Sequence, residues 1–162
     1  MKYIWTQVGS LPPNARPYPF LWSFPKGNEN VLTAQYTSQQ VHTGSYSLKI
    51  EFRKSAGAYG GLGVGRLPSY SVSKTGFATF WLRGTSLGQT FEFKLKDIAG
   101  KEEGVLVMVA TTEWEYVSIP LARFAEVDLT ALENFNLGFT EDWGSVTIYI
   151  DDVEFTEQEL VP

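Results

Sequence analysis

The stretch GAYGGLGVGRL, residues 57–67, decides how the chain is interpreted. With a period of two, Leu62 and Val64 point to one side, and Tyr59 points to the other together with every second glycine. Glycine weakens a strand interior, so this row indicates either a strand whose backbone another group approaches closely, or a glycine-rich loop or bulged edge strand. The stretch alone leaves both interpretations open. As a strand, it would form the floor of a groove with Tyr59 at its end.

Segments with a period of two lie on both sides of this stretch, separated by turn signals. The clearest is 90–96, in which three apolar residues alternate with Glu92, Lys94 and Lys96. No long helical period occurs. The pattern predicts an all-β chain that folds as a two-sheet antiparallel β-sandwich, or jelly roll. The predicted strands are 19–24, 31–37, 45–52, 57–67, 76–83, 90–96, 104–110, 114–121, 134–139 and 146–155.

Composition excludes several classes of function. The 162 residues are 43% hydrophobic and 15% aromatic, as expected for one turn-rich β domain. The net charge of −5 argues against nucleic acid or an anionic membrane as partner. Because the chain has no cysteine, disulfides and thiolate metal sites are excluded, and His42 is its only histidine. We expect a monomer.

The chain divides into three parts. We expect an extended, proline-containing lead-in at residues 1–17, a β-sandwich at 18–156 and a tail or linker at 157–162. The first ten residues lack the apolar core of a signal peptide. The expected location is nevertheless extracellular, with any export signal removed or outside the sequence.

Four segments carry a family resemblance: VHTGSYSLKIEF at 41–52, GAYGGLGVGRLP at 57–68, WEYVSIPLARF at 114–124, and ALENFNLGF through TIYIDDVEF at 131–155. Over roughly residues 18–156, the chain resembles the β-jelly-roll carbohydrate-binding modules of bacterial glycoside hydrolases. It looks most like family 11, whose members bind β-1,4 and mixed-linkage β-1,3-1,4 glucans. The resemblance implies a concave sheet that forms an open cleft for one glucan chain.

The resemblance also implies where ligand-binding residues lie. The concave sheet would contain 31–37, 59–66, 90–96, 104–110 and 134–139, and the family's cleft tyrosine falls on Tyr59. Two polar cleft residues of the family fall on Glu133 and Asn136, whereas its long loop after the IPL-type strand is missing here. For the strand charges, a solubilising role is the alternative. For the loop residue Trp143, the alternative is packing at an edge. The candidate ligand-binding residues are Gln35, Tyr59, Glu92, Lys94, Lys96, Met108, Glu133, Asn136 and Trp143.

A structural calcium is also implied by the resemblance. Its oxygen ligands would come from Asp151 and Asp152 in the last strand and from Thr43 in the preceding His-Thr-Gly turn. The family's acidic residue in the first strand is replaced by Pro25, and Glu29 or Asn28 is the candidate substitute.

The function expected from these observations is non-catalytic. The chain would bind single chains of plant-cell-wall β-glucan, namely cellulose, mixed-linkage glucan or xyloglucan, and target an attached glycoside hydrolase. One alternative is a small jelly-roll glycanase or lyase, which needs two carboxylates about 5 to 9 Å apart. The E-x-D-x-x-E pattern of jelly-roll glucanases is not present. The other alternative is a structural sandwich that binds proteins.

Overall fold

A computed structural model describes residues 2–5, 19–24, 31–64 and 71–159. Each of the ten predicted strands corresponds to a strand in this part of the chain, and Lys2–Trp5 adds another within the predicted lead-in. The strands are β1 (Lys2–Trp5), β2 (Pro19–Phe24), β3 (Leu32–Thr37), β4 (Ser47–Phe52), β5 (Tyr59–Val64), β6 (Phe77–Gly84), β7 (Thr90–Asp97), β8 (Glu102–Met108), β9 (Glu115–Pro120), β10 (Leu132–Thr140) and β11 (Val146–Thr156). Short 3-10 helices follow β9 and β10, at Leu121–Arg123 and Glu141–Trp143. Asn28, Glu29 and residues 65–67 of the glycine-rich segment lie outside the described residues.

The strands form two antiparallel sheets, as predicted. One has the order β3-β4-β11-β6-β9, with β1 also paired with β11, and the other has the order β2-β5-β10-β7-β8. The glycine-rich stretch is therefore a strand, because β5 pairs with β2 on one side and β10 on the other. The loop interpretation is wrong for 59–64.

The core lies between the sheets and is rich in phenylalanine. Phe80 of β6 stacks on Phe93 of β7 with ring centroids 5.5 Å apart, and Phe93 stacks in turn on Phe135 at 5.6 Å. Phe52 and Phe139 form a second stacked pair between the sheets at 5.8 Å. Each buried phenylalanine stabilises the fold by roughly 1.5–3 kcal/mol. The inward positions of β7 and β10 are thereby fixed, so the alternate residues face away from the core.

The membership of one sheet differs from the expectation. Residues 31–37 were expected in the same sheet as the glycine-rich strand, but β3 pairs with β4 in the other sheet. The strand beside β5 is β2, at 19–24. Among the described residues, no helix is long and apolar enough to cross a membrane.

Candidate functional site

The outer face of the five-stranded sheet carries rows of residues that run across the strands. In the row that we call the central row, Trp22 of β2 lies opposite Gly61 of β5, and Gly61 lies opposite Gly138 of β10. Glu92 of β7 lies opposite Gly138, and Leu106 of β8 lies opposite Glu92. Two of the five positions carry no side chain, so the row is low between its bulky ends.

Gly61 is the position on which Trp22 rests. A Cβ atom at Gly61 would lie 2.5 Å from Cζ2 of Trp22 and 2.7 Å from the carbonyl oxygen of Leu137, closer than real Cβ contacts. Only glycine leaves room there for the indole to lie across β5.

Long side chains occupy two further glycine positions. A Cβ at Gly138 would lie 3.0 Å from Cε of Lys94, and a Cβ at Gly104 would meet the carboxylate of Glu92. The expectation that the glycines leave an empty floor for a ligand therefore needs correction at these positions. Their space is filled by side chains of the chain itself, which lie low across the sheet.

A small cavity of about 150 Å³ opens at the Trp22 end of the central row. Trp22, Tyr59 and Trp143 line it on the aromatic side, and Glu92 and Lys94 line it on the polar side. The rings of Trp22 and Tyr59 meet edge to face, with centroids 6.3 Å apart and planes at 65°. These two side chains are 40% and 46% exposed. Four of the predicted residues thus lie together around one opening.

Trp143 is held beside this cavity by contacts between two turns. It ends the 3-10 helix that follows β10 and is half-buried. The N–H of Glu141 donates to the carbonyl of Ala58 at 2.9 Å, and Oε1 of Glu141 accepts the N–H of Gly57 at 2.7 Å. These bonds tie the Trp143 turn to the turn that leads into Tyr59.

Lys94 lies between two carboxylates on the outer face. Its Nζ is 3.1 Å from Oε1 of Glu102 and 3.7 Å from Oε2 of Glu92. Its side chain is 19% exposed. The charge of Lys94 is therefore balanced by neighbours on β7 and β8, and these three groups form a bridge of hydrogen-bonding atoms along the middle of the sheet.

Two asparagines extend this polar surface along β10. Nδ2 of Asn136 donates to Oδ1 of Asn134 at 2.6 Å and lies 3.5 Å from Oε2 of Glu102. Both asparagines are buried. The predicted residues Lys96 and Glu133 form an ion pair at 3.3 Å, farther from the aromatic cavity. Glu133 reaches Lys96 because the register of β10 shifts between Leu132 and Asn134.

The remaining two predicted residues do not line the aromatic cavity. Met108 is on β8, exposed, on the same outer face but across the sheet from Tyr59. Gln35 is not part of this surface. It pairs with Lys49 in the other sheet, so its assignment to the candidate site is wrong. The error follows from the incorrect sheet membership of 31–37.

The sequence reasoning missed Trp22, Glu102 and Leu106 as members of this surface. Trp22 lies in PFLWSF, which is apolar at almost every position. No alternation of apolar and polar residues therefore indicated that its side chain faces outward. Glu102 lies outside the predicted strand 104–110, whereas β8 begins at this residue. Leu106 could have been found, because it lies two residues before the predicted residue Met108 and therefore faces the same side of the strand.

The acidic pair of β11 is bound to the turn at residues 42–43. Oδ2 of Asp151 accepts the N–H groups of His42 and Thr43 at 3.1 and 3.2 Å. Oγ1 of Thr43 donates to the carboxylate of Asp152 at 2.7 Å, and Nδ1 of His42 lies 3.2 Å from the same carboxylate. The His42 ring stacks on Trp81 at 3.8 Å. Burial, and then the neighbouring Asp152, raise the pKa of Asp151.

Three of the residues predicted to bind calcium lie close together in the structure. Asp151, Asp152 and Thr43 supply oxygen ligands of the type that calcium prefers, but calcium takes six to eight oxygens. The described residues contain no group of three or more acidic, histidine or cysteine side chains that could hold a metal ion. These residues alone therefore do not complete a calcium site.

A larger cavity of about 880 Å³ lies near the other end of β7. Asp97 and Asp128 line it with Lys74 and Lys101, and none of its lining residues is aromatic. The carboxylate of Asp97 accepts the N–H groups of Asp128 and Lys101 at 3.0 and 2.9 Å. Its polar groups thus hold loops together, and it offers no aromatic face to a ligand.

Solved structures with the same fold include carbohydrate-binding modules. The family 30 module of the cellulosomal cellulase Cel9D-Cel44B of Clostridium thermocellum is 19% identical, with a TM-score of 0.64 over 79% of this chain and 84% of that chain. The family 11 module of Lic26A-Cel5E from the same organism is 13% identical, with a TM-score of 0.69 over 96% and 93%. A family 11 module in complex with a β-1,3-1,4-mixed-linked tetrasaccharide is 12% identical, with a TM-score of 0.65 over 85% and 88%. No curated protein sequence matches the chain.

These structures confirm the β-jelly-roll fold predicted from the sequence. The class, a carbohydrate-binding module, and with it the resemblance, is confirmed by the family to which the sequence belongs. The family follows from the sequence itself. The model of the family described as carbohydrate binding domain 30 matches residues 18–157, so the chain belongs to that family. The prediction that it is a non-catalytic binding module is confirmed by this membership.

Proposed function

We propose that the chain binds single chains of plant-cell-wall β-glucan on the outer face of its five-stranded sheet. The observation that supports this best is the edge-to-face pair of exposed rings, Trp22 and Tyr59, beside the bridge of Glu92, Lys94 and Glu102. The apolar faces of β-linked glucose units can stack on the rings. Their equatorial hydroxyls can exchange hydrogen bonds with carboxylates and an ammonium group.

The arrangement of these groups favours an extended ligand over a small one. The cavity at the aromatic end holds only about 150 Å³, whereas the polar groups continue across β7 and β8. The ion pairs and the Trp143 turn hold several of these side chains in place before a ligand arrives, which limits the ordering cost of binding.

The solved structures support a β-glucan as ligand and an enzyme as context. One similar module was solved with a β-1,3-1,4-mixed-linked tetrasaccharide, and another belongs to a cellulosomal cellulase. We infer that this chain accompanies a secreted glycoside hydrolase and holds it on cellulose, mixed-linkage glucan or xyloglucan. It acts as a monomer, because one sheet of one chain carries the whole surface.

Affinity gel electrophoresis tests the proposal. Hydroxyethylcellulose, barley β-glucan, xyloglucan and mannan are cast separately into native gels, and at least one of the three glucans is expected to retard the chain. Trp22→Ala should weaken the affinity measured by that retardation by about tenfold or more. Tryptophan side chains that become buried when a ligand binds often contribute most of the binding free energy. Leu87→Ala is the matched control, because Leu87 is exposed in the turn between β6 and β7. Absence of retardation by every glucan, or full retardation of the Trp22 variant, contradicts the proposal.

A further inference from the structure

The far edge of the five-stranded sheet exposes two apolar side chains. Leu106 is 59% exposed and Met108 is 64% exposed, while Val105 and Val107 between and beside them are buried. Natural edge strands usually carry charged groups on their exposed positions to prevent association. Two neighbouring apolar groups on the same face of an edge strand form a patch, and such patches commonly mark binding surfaces.

The strand register aligns this patch with the aromatic end. Leu106 ends the central row that begins at Trp22, and Met108 lies opposite Thr90 two residue pairs farther along β7 and β8, on the same face. Four strand spacings of about 4.8 Å separate the two ends, so the backbones at Trp22 and Leu106 are about 19 Å apart.

The middle of the row is low and polar. The indole of Trp22 lies over Gly61, Lys94 lies over Gly138, and Glu92 lies over Gly104 instead of standing above the sheet. The row therefore presents an apolar end, a low hydrogen-bonding middle and a second apolar end in one line.

We propose that Leu106 and Met108 form a second sugar-contacting subsite, which holds the distant part of a glucan chain that runs across the strands from Trp22. This inference rests on the proposed function. The ligand is an extended neutral β-glucan, because its sugar rings combine apolar faces with hydroxyl edges along a length that matches the row. The subsite contributes only when the ligand is long enough to reach β8.

Calorimetry with cello-oligosaccharides of increasing length, from the trimer to the hexamer, tests the inference. The double substitution Leu106→Ser and Met108→Ser is expected to leave trimer affinity within about twofold and to weaken hexamer affinity by about five- to tenfold, since it removes contacts made only by the longer ligand. Ile98→Ser is the control. It changes an equally exposed apolar residue in the turn after β7 and should leave both affinities unchanged.

The possible outcomes separate this inference from the proposed function. Equal hexamer affinity in the double variant and the parent overturns the second subsite while leaving glucan binding intact. Equal losses for trimer and hexamer also overturn it, because the effect would then not depend on ligand length. If the parent binds no oligosaccharide in the series, the second subsite is overturned, whereas the proposed function is overturned only if every glucan in the gel panel also fails to retard the chain. Thermal melting of each variant checks that it is folded, which is expected because the substituted positions are exposed.

Discussion

The indole of Trp22 lies across β5 at Gly61, where any side chain would collide with it. The space above a glycine on one strand is thereby used by the aromatic ring of the next strand. Because the collision would also involve the backbone carbonyl of Leu137, movement of the indole alone could not relieve it.

Gly61→Ala is therefore expected to displace Trp22 and lower the free energy of unfolding by about 1–3 kcal/mol. Urea denaturation followed by tryptophan fluorescence measures the stability, and affinity gels measure the loss of glucan binding. Gly138→Ala is the control for stability, because its added methyl would meet only flexible side-chain atoms, Cε of Lys94 at 3.0 Å and Oε2 of Glu92 at 3.6 Å. Parental stability and affinity in Gly61→Ala would contradict this role of the glycine.

Tyr59 supplies the second exposed ring. Tyr59→Ala is expected to weaken glucan binding by more than about 1 kcal/mol, since it removes a stacking face. Tyr59→Phe keeps the ring and should retain most of the affinity. Calorimetry with the best polysaccharide from the gel panel distinguishes them. If alanine and phenylalanine have the same effect, the ring of Tyr59 does not stack on the ligand.

The parts of the site that could be predicted from the sequence are those with a local signal. The alternation in 90–96 predicted correctly that Glu92, Lys94 and Lys96 face away from the core. The pairing of strands far apart in sequence has no such signal. Gln35 was placed in the wrong sheet because β2 and β3 are both short strands near the start of the sandwich, and only their long-range partners show which sheet each one joins.

The same limitation applies to the glycines of β5. Their pattern indicated that a group approaches the backbone closely, which is correct at Gly61. It did not identify that group, because the register between β2 and β5 brings Trp22 there. A pattern within one strand therefore predicts open space, but the neighbouring strand determines what occupies it.

The charge of Lys94 predicts a preference for neutral polymers. Its ammonium group is paired with Glu92 and Glu102, so an anionic sugar would meet two carboxylates before it met a free cation. We expect no retardation of the parent chain by carboxymethylcellulose. The double variant Glu92→Gln and Glu102→Gln should be retarded at low salt and released at about 0.5 M NaCl, where exposed charges are screened.

A charge-matched variant provides the control for this experiment. Glu126→Gln with Glu159→Gln changes the net charge by the same amount at exposed positions outside the central row. Retardation of this control would show that net charge and not the pairing of Lys94 determines the selectivity. Retardation of the parent would contradict the predicted preference for neutral polymers.

Of the predictions made from the sequence, calcium binding is the one for which the structure provides the fewest ligands. We expect millimolar calcium after treatment with a chelator to raise the melting temperature, because the ion would neutralise the adjacent carboxylates of Asp151 and Asp152. Asp151→Asn should remove the calcium-dependent difference. Magnesium at the same concentration is the control. Identical melting curves with calcium and with chelator would refute the prediction and leave the bonds from His42 and Thr43 as the stabilising contacts of this pair.

The lowered pKa of Asp97 predicts how the stability of the fold depends on pH. The backbone N–H of Asp128, followed by that of Lys101, lowers the pKa of this buried carboxyl group below its ordinary value. Because the pKa in the unfolded chain is higher, about 3.9, ionised Asp97 stabilises the fold above that pH, and the contribution is lost as pH falls through the folded-state pKa. Asp97→Asn should therefore lower the melting temperature near neutral pH, and its difference from the parent should shrink below about pH 4. The exposed Asp142→Asn is the control, and a pH-independent difference for Asp97→Asn would contradict the linkage.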